Sequence, residues 1–221
     1  MTADPRDLPT LPYDLDEDLL RGVRDQATPR VRVAPVSSVA VVIGRGGRQA
    51  DELNRETIAE DGVPLYRRPG GGCAVVLDPG NLTVAVGLPL PGVGGITSAF
   101  AAISTWLCGG LETCGFPGVR QEGTSDLALA GRKIGGSCIY RTRGLLYYAT
   151  TLLMDPDLEL VDRYLPHPPR EPAYRAGRLH RAFMGSLRSV EPALDPAEFN
   201  GRLGQVLARK LPELNMNTFP V

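Results

Sequence analysis

The stretch RRPGGGCAVVLDPGN, residues 67–81, joins two arginines and three consecutive glycines to an apolar run and a turn sequence. Glycine lacks a Cβ, so its backbone reaches positive φ and a ligand can lie directly against its amides. Successive inward-pointing amides form an anion-binding concavity, and a guanidinium binds phosphate through paired hydrogen bonds. The stretch predicts a phosphate or acyl-phosphate site; the alternative is an ordinary glycine-rich hairpin with exposed arginines.

The residues after the glycines decide the fold class. CAVVL and LTVAVGLPL are apolar runs separated by the turn formers DPGN, which predicts two strands. A GxxxxGK[ST] phosphate loop is absent, and a GxGxxG fingerprint would open a helix rather than a strand. The other elements alternate irregularly and include hairpins. We therefore predict an α+β fold, with a largely antiparallel mixed sheet and helices on one side.

Hydrophobic periodicity extends this prediction along the chain. The predicted helices span residues 14–26, 51–60, 96–111 (ended by two glycines) and 196–211. The predicted further strands are RVRVAPV, VAVVIG and VPLYRR, followed by a meander of SDLALAG, RKIGGSCIYR and LLYYATTLLM with turns at Ala130–Gly131 and Arg143–Gly144.

Composition excludes several classes of protein. The chain has 221 residues, is 43% hydrophobic and carries a net charge of -1, which argues against disorder and against a global nucleic-acid-binding surface. It has no apolar run of transmembrane length and no signal-peptide pattern, so we expect a cytoplasmic protein without a membrane partner. Four scattered cysteines predict free thiols rather than a zinc site. Residues 1–13 are expected to be a flexible leader, and residues 14–221 a single domain.

A second stretch, TSDLALAGRKIGGSCIYRTRG at residues 124–144, places Lys133 just before Gly135 and Gly136. A lysine held where a backbone approaches closely can stabilise the negative charge that develops during acyl transfer. The alternative for a single lysine is a solvated position on a hairpin.

Together the two stretches carry a family resemblance. Residues 40–82 resemble the lipoate–protein ligase pattern GRxQ…E-x-N…G-V-P…R-R-x-S-G-G-G-A-V…D-x-G-N-L, and residues 125–153 resemble its second motif, N-D-L…G-R-K-I-S-G-S-A…H-G-T-L-L. The resemblance covers about residues 14–165 and implies a biotin/lipoate ligase-like catalytic domain. The additional small C-terminal domain of longer ligases is expected to be missing.

The resemblance implies a reaction in two steps. Lipoate or octanoate reacts with ATP, aided by Mg²⁺, to give an acyl-adenylate, and the acyl group then passes to a lysine of a carrier protein. The implied partner is a lipoyl-domain or H-protein-like carrier, and a separate small accessory subunit is a further expectation. The apolar strands VAVVIG and TVAVGL would line the acyl tunnel, or would be ordinary core.

Site residues follow from the same resemblance. Lys133 would bridge the carbonyl and phosphate of the acyl-adenylate, and Asp126 would also bind Mg²⁺. The adenylate-binding residues implied are Arg68, Gly71, Gly72, Cys73, Ala74, Val75, Asn81, Asp126, Lys133 and Gly136. The basic residues Arg170, Arg175, Arg178 and His180 either face an acidic carrier domain or belong to a segment that wraps the surface.

Several positions depart from the family pattern. Gly70 replaces a serine, Cys73 the third glycine, Ser125 an asparagine, Cys138 an alanine, and Tyr147–Tyr148 the histidine segment.

These changes leave two rival functions open. One is an octanoyltransferase that forms a cysteine thioester without ATP, although odd spacing puts Lys133 and Cys138 on opposite strand faces unless a bulge intervenes; in ligase-like transferases that cysteine would fall near Gly118. The other is a degenerate scaffold or subunit that binds lipoyl carriers. A biotin ligase is a weaker third possibility.

Overall fold

The computed structural model describes residues 4–90, 95–142 and 144–214. The strands in these ranges are β1 (Leu11–Pro12), β2 (Arg30–Pro35), β3 (Ala40–Ile43), β4 (Leu65–Arg67), β5 (Val75–Leu77), β6 (Asn81–Leu90), β7 (Arg120–Glu122), β8 (Asp126–Leu129), β9 (Arg132–Thr142) and β10 (Gly144–Leu153). The helices are α1 (Glu17–Gln26), α2 (Gln49–Glu52), α3 (Arg55–Glu60), α4 (Ile96–Thr113), α5 (Leu158–Tyr164), α6 (His180–Phe183), α7 (Leu187–Val190) and α8 (Pro196–Lys210). None of these helices combines the length and the apolar character needed to cross a bilayer.

The strands form two sheets, which confirms the α+β class. The larger sheet has the order β2-β6-β10-β9-β8-β7, and its neighbouring strands are antiparallel. The smaller sheet has the order β1-β4-β3-β5, with β3 parallel to β4 and antiparallel to β5. The predicted meander is β8-β9-β10, with its first turn at Ala130–Gly131; Arg143 of the second predicted turn lies outside the described residues.

The larger sheet is covered on both faces because its central strands alternate between two cores. Val84 and Val86 of β6 lie in the main core with residues of α4 and α8, whereas the intervening Ala85 packs with Leu19 and Val23 of α1. The prediction of helices on one side therefore holds for α4 and α8 but not for α1.

Helix α4 continues past the two glycines that were predicted to end it. A Cβ on Gly110 would lie 2.4 Å from Cδ2 of Leu207, so the missing side chain lets α4 and α8 approach closely. Trp106 fixes the same contact, since its indole N–H donates to the carbonyl of Lys210 at 2.9 Å. Gly110 thus serves helix packing, and neither glycine ends the helix.

The smaller sheet packs against α3 and α5 through a second core. Ile43 and Leu65 of the sheet meet Ile58 of α3 and Val161 of α5 there. The helix predicted at residues 51–60 is in fact two short helices, α2 and α3, interrupted before Arg55.

The segment before residue 14 has defined contacts from residue 4 onward. Strand β1 pairs with β4, and the Leu8 N–H donates to Oε1 of Gln49 at 2.8 Å. Arg55 binds the carboxylates of both Asp4 and Asp7, at 3.1 and 3.0 Å. These contacts tie residues 4–13 to the smaller sheet and to α2 and α3.

The turn between β5 and β6 carries the chain from one sheet to the other. Asp78 is buried and accepts from the Gly80 N–H at 2.6 Å and the Asn81 side-chain amide at 2.7 Å. The Gly80 carbonyl in turn accepts from the Met154 and Asp155 amides, which follow β10. The DPGN turn is therefore an internally bonded corner anchored to the larger sheet.

We expect Gly80→Ala to destabilise this corner. The new Cβ would lie 1.9 Å from the backbone oxygen of Asp155, so one of the two segments must move. Strain of this kind costs ~1–3 kcal/mol, which corresponds to a Tm lower by roughly 5 °C for a chain of this size. Thermal unfolding followed by circular dichroism measures the effect. The control is Gly46→Ala, whose Cβ meets no atom within 4 Å. Equal Tm values for the two variants would contradict the close approach of Gly80 to Asp155.

Candidate active site

The glycine turn lies between β4 and β5 and presents unbonded amides. Among the described residues, no acceptor binds the backbone N–H groups of Gly71, Gly72 or Cys73. Gly72 has a φ of 93°, a left-handed value that favours glycine. Consecutive free amides in such a turn form a concavity suited to an anion.

Arg68 holds this turn in shape. Its guanidinium donates to the carbonyl oxygens of Val42 (3.1 Å), Gly71 (2.8 Å) and Cys73 (2.7 Å). Most of its N–H groups are therefore bound to backbone. These contacts organise the loop, and the predicted contact of Arg68 with the adenylate stays a prediction.

Glu52 of α2 is a site residue that the sequence analysis did not assign. Its side chain is buried, and its carboxylate accepts from the Ala74 N–H at 2.6 Å. The Ala74 amide is therefore occupied by protein, in contrast to the amides just before it. The signal was present in the family pattern, where the acid of E-x-N matches Glu52 in this chain.

Lys133 and Asp126 form an ion pair, with Nζ 2.8 Å from Oδ1. The other carboxylate oxygen accepts from the Tyr174 hydroxyl at 3.0 Å. Burial, together with the negative charge of Asp126, raises the pKa of Tyr174, so the phenol stays protonated and donates. Asp126 therefore holds Lys133 in place and is itself held by Tyr174.

A β-bulge and a glycine give Lys133 its position. The β8–β9 register shifts at Leu127/Ala128, which pair with Gly135 and Lys133 and leave Ile134 as an extra residue. A Cβ on Gly136 would lie only 3.2 Å from Nζ of Lys133, so the glycine leaves room for the lysine. This is the bulge that is needed for Lys133 and Cys138 to face the same side of the strand.

One cavity of about 900 Å³ joins these features. The predicted site residues that line it are Arg68, Gly71, Gly72, Cys73, Ala74, Val75, Asp126, Lys133 and Gly136. The turn comes from the smaller sheet and the lysine from the larger one, so the cavity lies where the two sheets meet. Cys138 also contributes to the wall.

Asn81 is the predicted site residue that the structure does not bring to the cavity. It is 1% exposed, and its amide donates to Asp78 inside the corner between the sheets. Its side-chain amide serves the turn, while its Oδ1 is buried without a partner among the described residues, and its assignment to the adenylate stays a prediction.

The predicted acyl tunnel strands also contribute less than expected. Of VAVVIG and TVAVGL, the cavity wall includes only Val42 and Thr83, while the other residues are mainly core. Most of the apolar lining comes from elsewhere, including Leu77, Phe100 and Ala101. Sequence could not separate core valines from lining valines because both are apolar and strand-forming.

Cys138 is held as a thiol rather than as an activated nucleophile. Cys138 is 9% exposed, and burial raises the pKa of its thiol. Gly70 packs against it, since a Cβ there would lie 2.9 Å from the Cys138 sulfur. Cys73, at the position of the third family glycine, is half-buried, and its backbone does not adopt a positive φ. Its sulfur lies 3.8 Å from the carbonyl oxygen of Arg170. The Gly118 position does not line the cavity.

The two tyrosines at the family histidine segment are buried on opposite faces of β10. The Tyr147 hydroxyl donates to Asp16, and the Tyr148 hydroxyl donates to Ser137 at 2.8 Å. Burial raises the pKa of Tyr148 to about 12. Both phenols are therefore neutral hydrogen-bond donors, and only Tyr147 reaches the cavity wall.

The basic segment after β10 folds inward. Arg175 is 5% and His180 is 9% exposed, so the prediction that they face a carrier domain is wrong. Arg178 is half-buried and donates to three backbone carbonyls, those of Tyr174, Arg175 and Gly131. Of the four residues, only Arg170 is exposed.

The donor set fits one part of a magnesium site. Mg²⁺ is usually bound by one or two carboxylates together with phosphate oxygens and water. Asp126 is a carboxylate on the cavity wall, and each of its bonded oxygens has a further lone pair. Within the ranges that the structure describes, no cluster of three metal-binding side chains occurs, so other ligands would come from substrate and solvent.

Comparison with known families identifies the domain. A family model described as the lipoyl protein ligase A/B catalytic domain matches residues 9–208. A lipoate–protein ligase of Streptococcus pyogenes is 28% identical over 67% of the chain, and lipoate–protein ligase 2 of Staphylococcus aureus is 30% identical over 68%. The matches cover 43% and 44% of those proteins, so the chain spans less than half of their length.

Solved structures share the fold. One is a lipoate-protein ligase A bound with ATP, with a TM-score of 0.73 and 20% identity over 93% of this chain and 84% of that one. Another belongs to an archaeal lipoylation system of Thermoplasma acidophilum, described as a bi-partite lipoate protein ligase and its E2 lipoyl domain. Its TM-score is 0.72, with 22% identity over 90% of this chain and 76% of that one.

We expect Arg68→Met to loosen the glycine turn. The substitution leaves the carbonyls of Gly71 and Cys73 without their charged donor, a loss of about 2 kcal/mol in unfolding free energy. Hydrogen exchange of the amides at residues 70–75 should accelerate, and denaturant unfolding gives the stability. Arg21→Met is the control, because Arg21 is exposed and forms only a 3.6 Å surface ion pair with Asp18. Unchanged exchange in the Arg68 variant would contradict the role assigned to its guanidinium.

Proposed function

The chain belongs to the lipoyl protein ligase A/B catalytic domain family, and on that premise we propose that it is an ATP-dependent lipoate–protein ligase. It would activate lipoate or octanoate as an acyl-adenylate and transfer the acyl group to a lysine of a lipoyl-domain or H-protein-like carrier. The observation that supports this most directly is that free turn amides and Lys133 line the same cavity.

In the first step the substrate carboxylate attacks the α-phosphate of ATP, and pyrophosphate leaves. Two anions must approach each other, so fixed positive charge and amide donors lower the barrier. The amides of Gly71, Gly72 and Cys73 supply donors that need no rearrangement, because Arg68 already holds the turn. Glu52 fixes the far end of the same turn through Ala74.

In the second step the carrier lysine amine attacks the acyl carbonyl, and AMP leaves as the C–O bond to phosphate breaks. Lys133 serves both steps because an ammonium has three N–H donors, and one of them is directed to Asp126. The other two would reach the carbonyl and phosphate oxygens of the acyl-adenylate. Lysine suits this role as a compact charge on a flexible stem.

Bound Mg²⁺ would neutralise phosphate charge, and Asp126 is the residue that would hold it. The protein's own contribution there is positional. The Lys133 ammonium binds one oxygen of the Asp126 carboxylate, and the Tyr174 hydroxyl donates to the other.

The main rival is the octanoyltransferase with a cysteine thioester, because the bulge lets Lys133 and Cys138 line one cavity. A nucleophilic cysteine needs a lowered thiol pKa, and burial raises that of Cys138. The buried thiol therefore favours the ligase.

We expect carrier modification to require ATP. Intact-mass spectrometry of a lipoyl-domain protein would follow two reactions: octanoate or lipoate with ATP and Mg²⁺, and octanoyl-acyl-carrier protein without ATP. A mass gain of one acyl group in the first reaction alone is the expected result. Modification in the second alone would establish the transferase instead. Modification in neither would contradict the proposal for the chain acting by itself and favour a scaffold or a required accessory subunit.

Cys138→Ser is the matched variant in both reactions. A ligase keeps its ATP-dependent activity within a few-fold, since no step passes through the sulfur. A thioester enzyme would lose its activity entirely.

Lys133→Ala should abolish adenylate formation. Losing a preorganised charge at the reacting oxygens costs about 100-fold or more in rate. Octanoate-dependent exchange of pyrophosphate into ATP reports the first step alone. Lys210→Ala is the control, because the chain's other lysine lies at the end of α8, outside the cavity. Near-normal exchange in a folded Lys133 variant would remove this residue from the mechanism.

A further inference from the structure

Arg175 is a buried cation whose hydrogen bonds are incomplete. Its side chain is 6% exposed, and its Nε donates to the Arg178 carbonyl at 2.9 Å. Its Nη2 is buried and has no acceptor. A buried charged donor without a partner is costly, so its retention points to an acceptor that binds during function.

The surrounding segment holds this guanidinium in place and offers it one carboxylate, which is shared with other donors. Arg175 lies over the Phe183 ring, 4.8 Å from its centroid. The Glu171 carboxylate is 3.5 Å from Nε, but its two oxygens also accept from the Gly177 amide and contact the His167 ring. The position is therefore fixed by packing and backbone contacts, while the terminal nitrogens of the guanidinium keep donor capacity.

Arg175 lines the cavity that also contains Lys133 and the glycine turn. Its neighbour Tyr174 binds Asp126, the partner of Lys133, and the charge of Asp126 acts on Arg175. Arg175 therefore lies toward the lysine end of the cavity. Burial lowers its pKa, which agrees with a cation that has less compensation than it needs.

Resting on the proposed function, we propose that Arg175 binds a phosphate oxygen of the bound nucleotide. A guanidinium is a planar, permanently charged donor that pairs well with phosphate. An oxygen at this position would complete the hydrogen bonds that the protein leaves open. The acyl carboxylate offers the same anionic chemistry, so the experiment separates the two ligands.

Arg175→Met removes the charge and keeps an apolar chain of similar length. We expect the affinity for ATP and for AMP, measured by calorimetry without acyl substrate, to fall about ten-fold or more. The affinity for octanoate alone should not change. Because the lost charge was incompletely paired, the Tm of the ligand-free variant should fall little.

Arg163→Met is the matched control, since Arg163 is a half-exposed cation that pairs with Asp61 and does not line the cavity. Its loss removes a charge of the same kind and should leave nucleotide affinity unchanged. If Arg175→Met does not fold, Arg175→Lys takes its place, with about ten-fold weaker ATP binding expected from the lost planar donor pair.

Full nucleotide affinity in the Arg175 variant would overturn this inference alone and leave the proposed function standing. Loss of octanoate affinity alone would assign Arg175 to the carboxylate and overturn it as well. If the unaltered protein bound neither ATP nor AMP, the proposed function itself would fail, and the phosphate role of Arg175 with it.

Discussion

The bonds from the Arg68 guanidinium to the glycine turn are the constraint on which the site depends. Because a trans peptide directs its C=O and N–H in opposite directions, fixing the carbonyls of Gly71 and Cys73 turns the amides that follow them away from the arginine. The Ala74 amide, which follows the Cys73 carbonyl, donates to Glu52. The Gly72 amide, which follows the Gly71 carbonyl, has no acceptor among the described residues. A flexible run of glycines thereby becomes a preorganised set of donors, at the expense of an arginine that binds backbone rather than ligand.

The division of the strands into two sheets makes this turn useful. The turn belongs to the smaller sheet, whereas Lys133 belongs to a strand of the larger one. The corner at Asp78 and Gly80 joins the sheets, and its bonds to Asp155 fix their separation locally. A single continuous sheet would place the two motifs side by side on one surface. The two-sheet arrangement instead places them on walls of one cavity, where charges beside protein interact more strongly than in bulk water.

Sequence predicted what depends on local chemistry and missed what depends on tertiary contacts. The glycine turn, Arg68 and Lys133 were assigned to one site through the family resemblance of their motifs, and they do line one cavity. A turn asparagine such as Asn81 can bind a ligand or its own turn, and only the fold shows that its amide donates to Asp78. Tyr174 went unnoticed because nothing local marks a tyrosine that reaches a carboxylate 48 residues away. The basic segment was expected to face a partner or to wrap the surface, because charged side chains are mostly exposed.

The cations around the cavity differ in how far the protein already satisfies them. Arg68 is bound to three carbonyls, and Lys133 shares its charge with Asp126. Arg175 has only one hydrogen bond from Nε and an unpaired Nη2 among the described residues. A residue that shapes a site is satisfied before the ligand arrives, whereas a residue that binds the ligand must keep donors unsatisfied until then. On this distinction we expect Arg68 to shape the turn, Lys133 to keep two donors for a ligand, and Arg175 to bind the ligand, although all three are equally basic in the sequence.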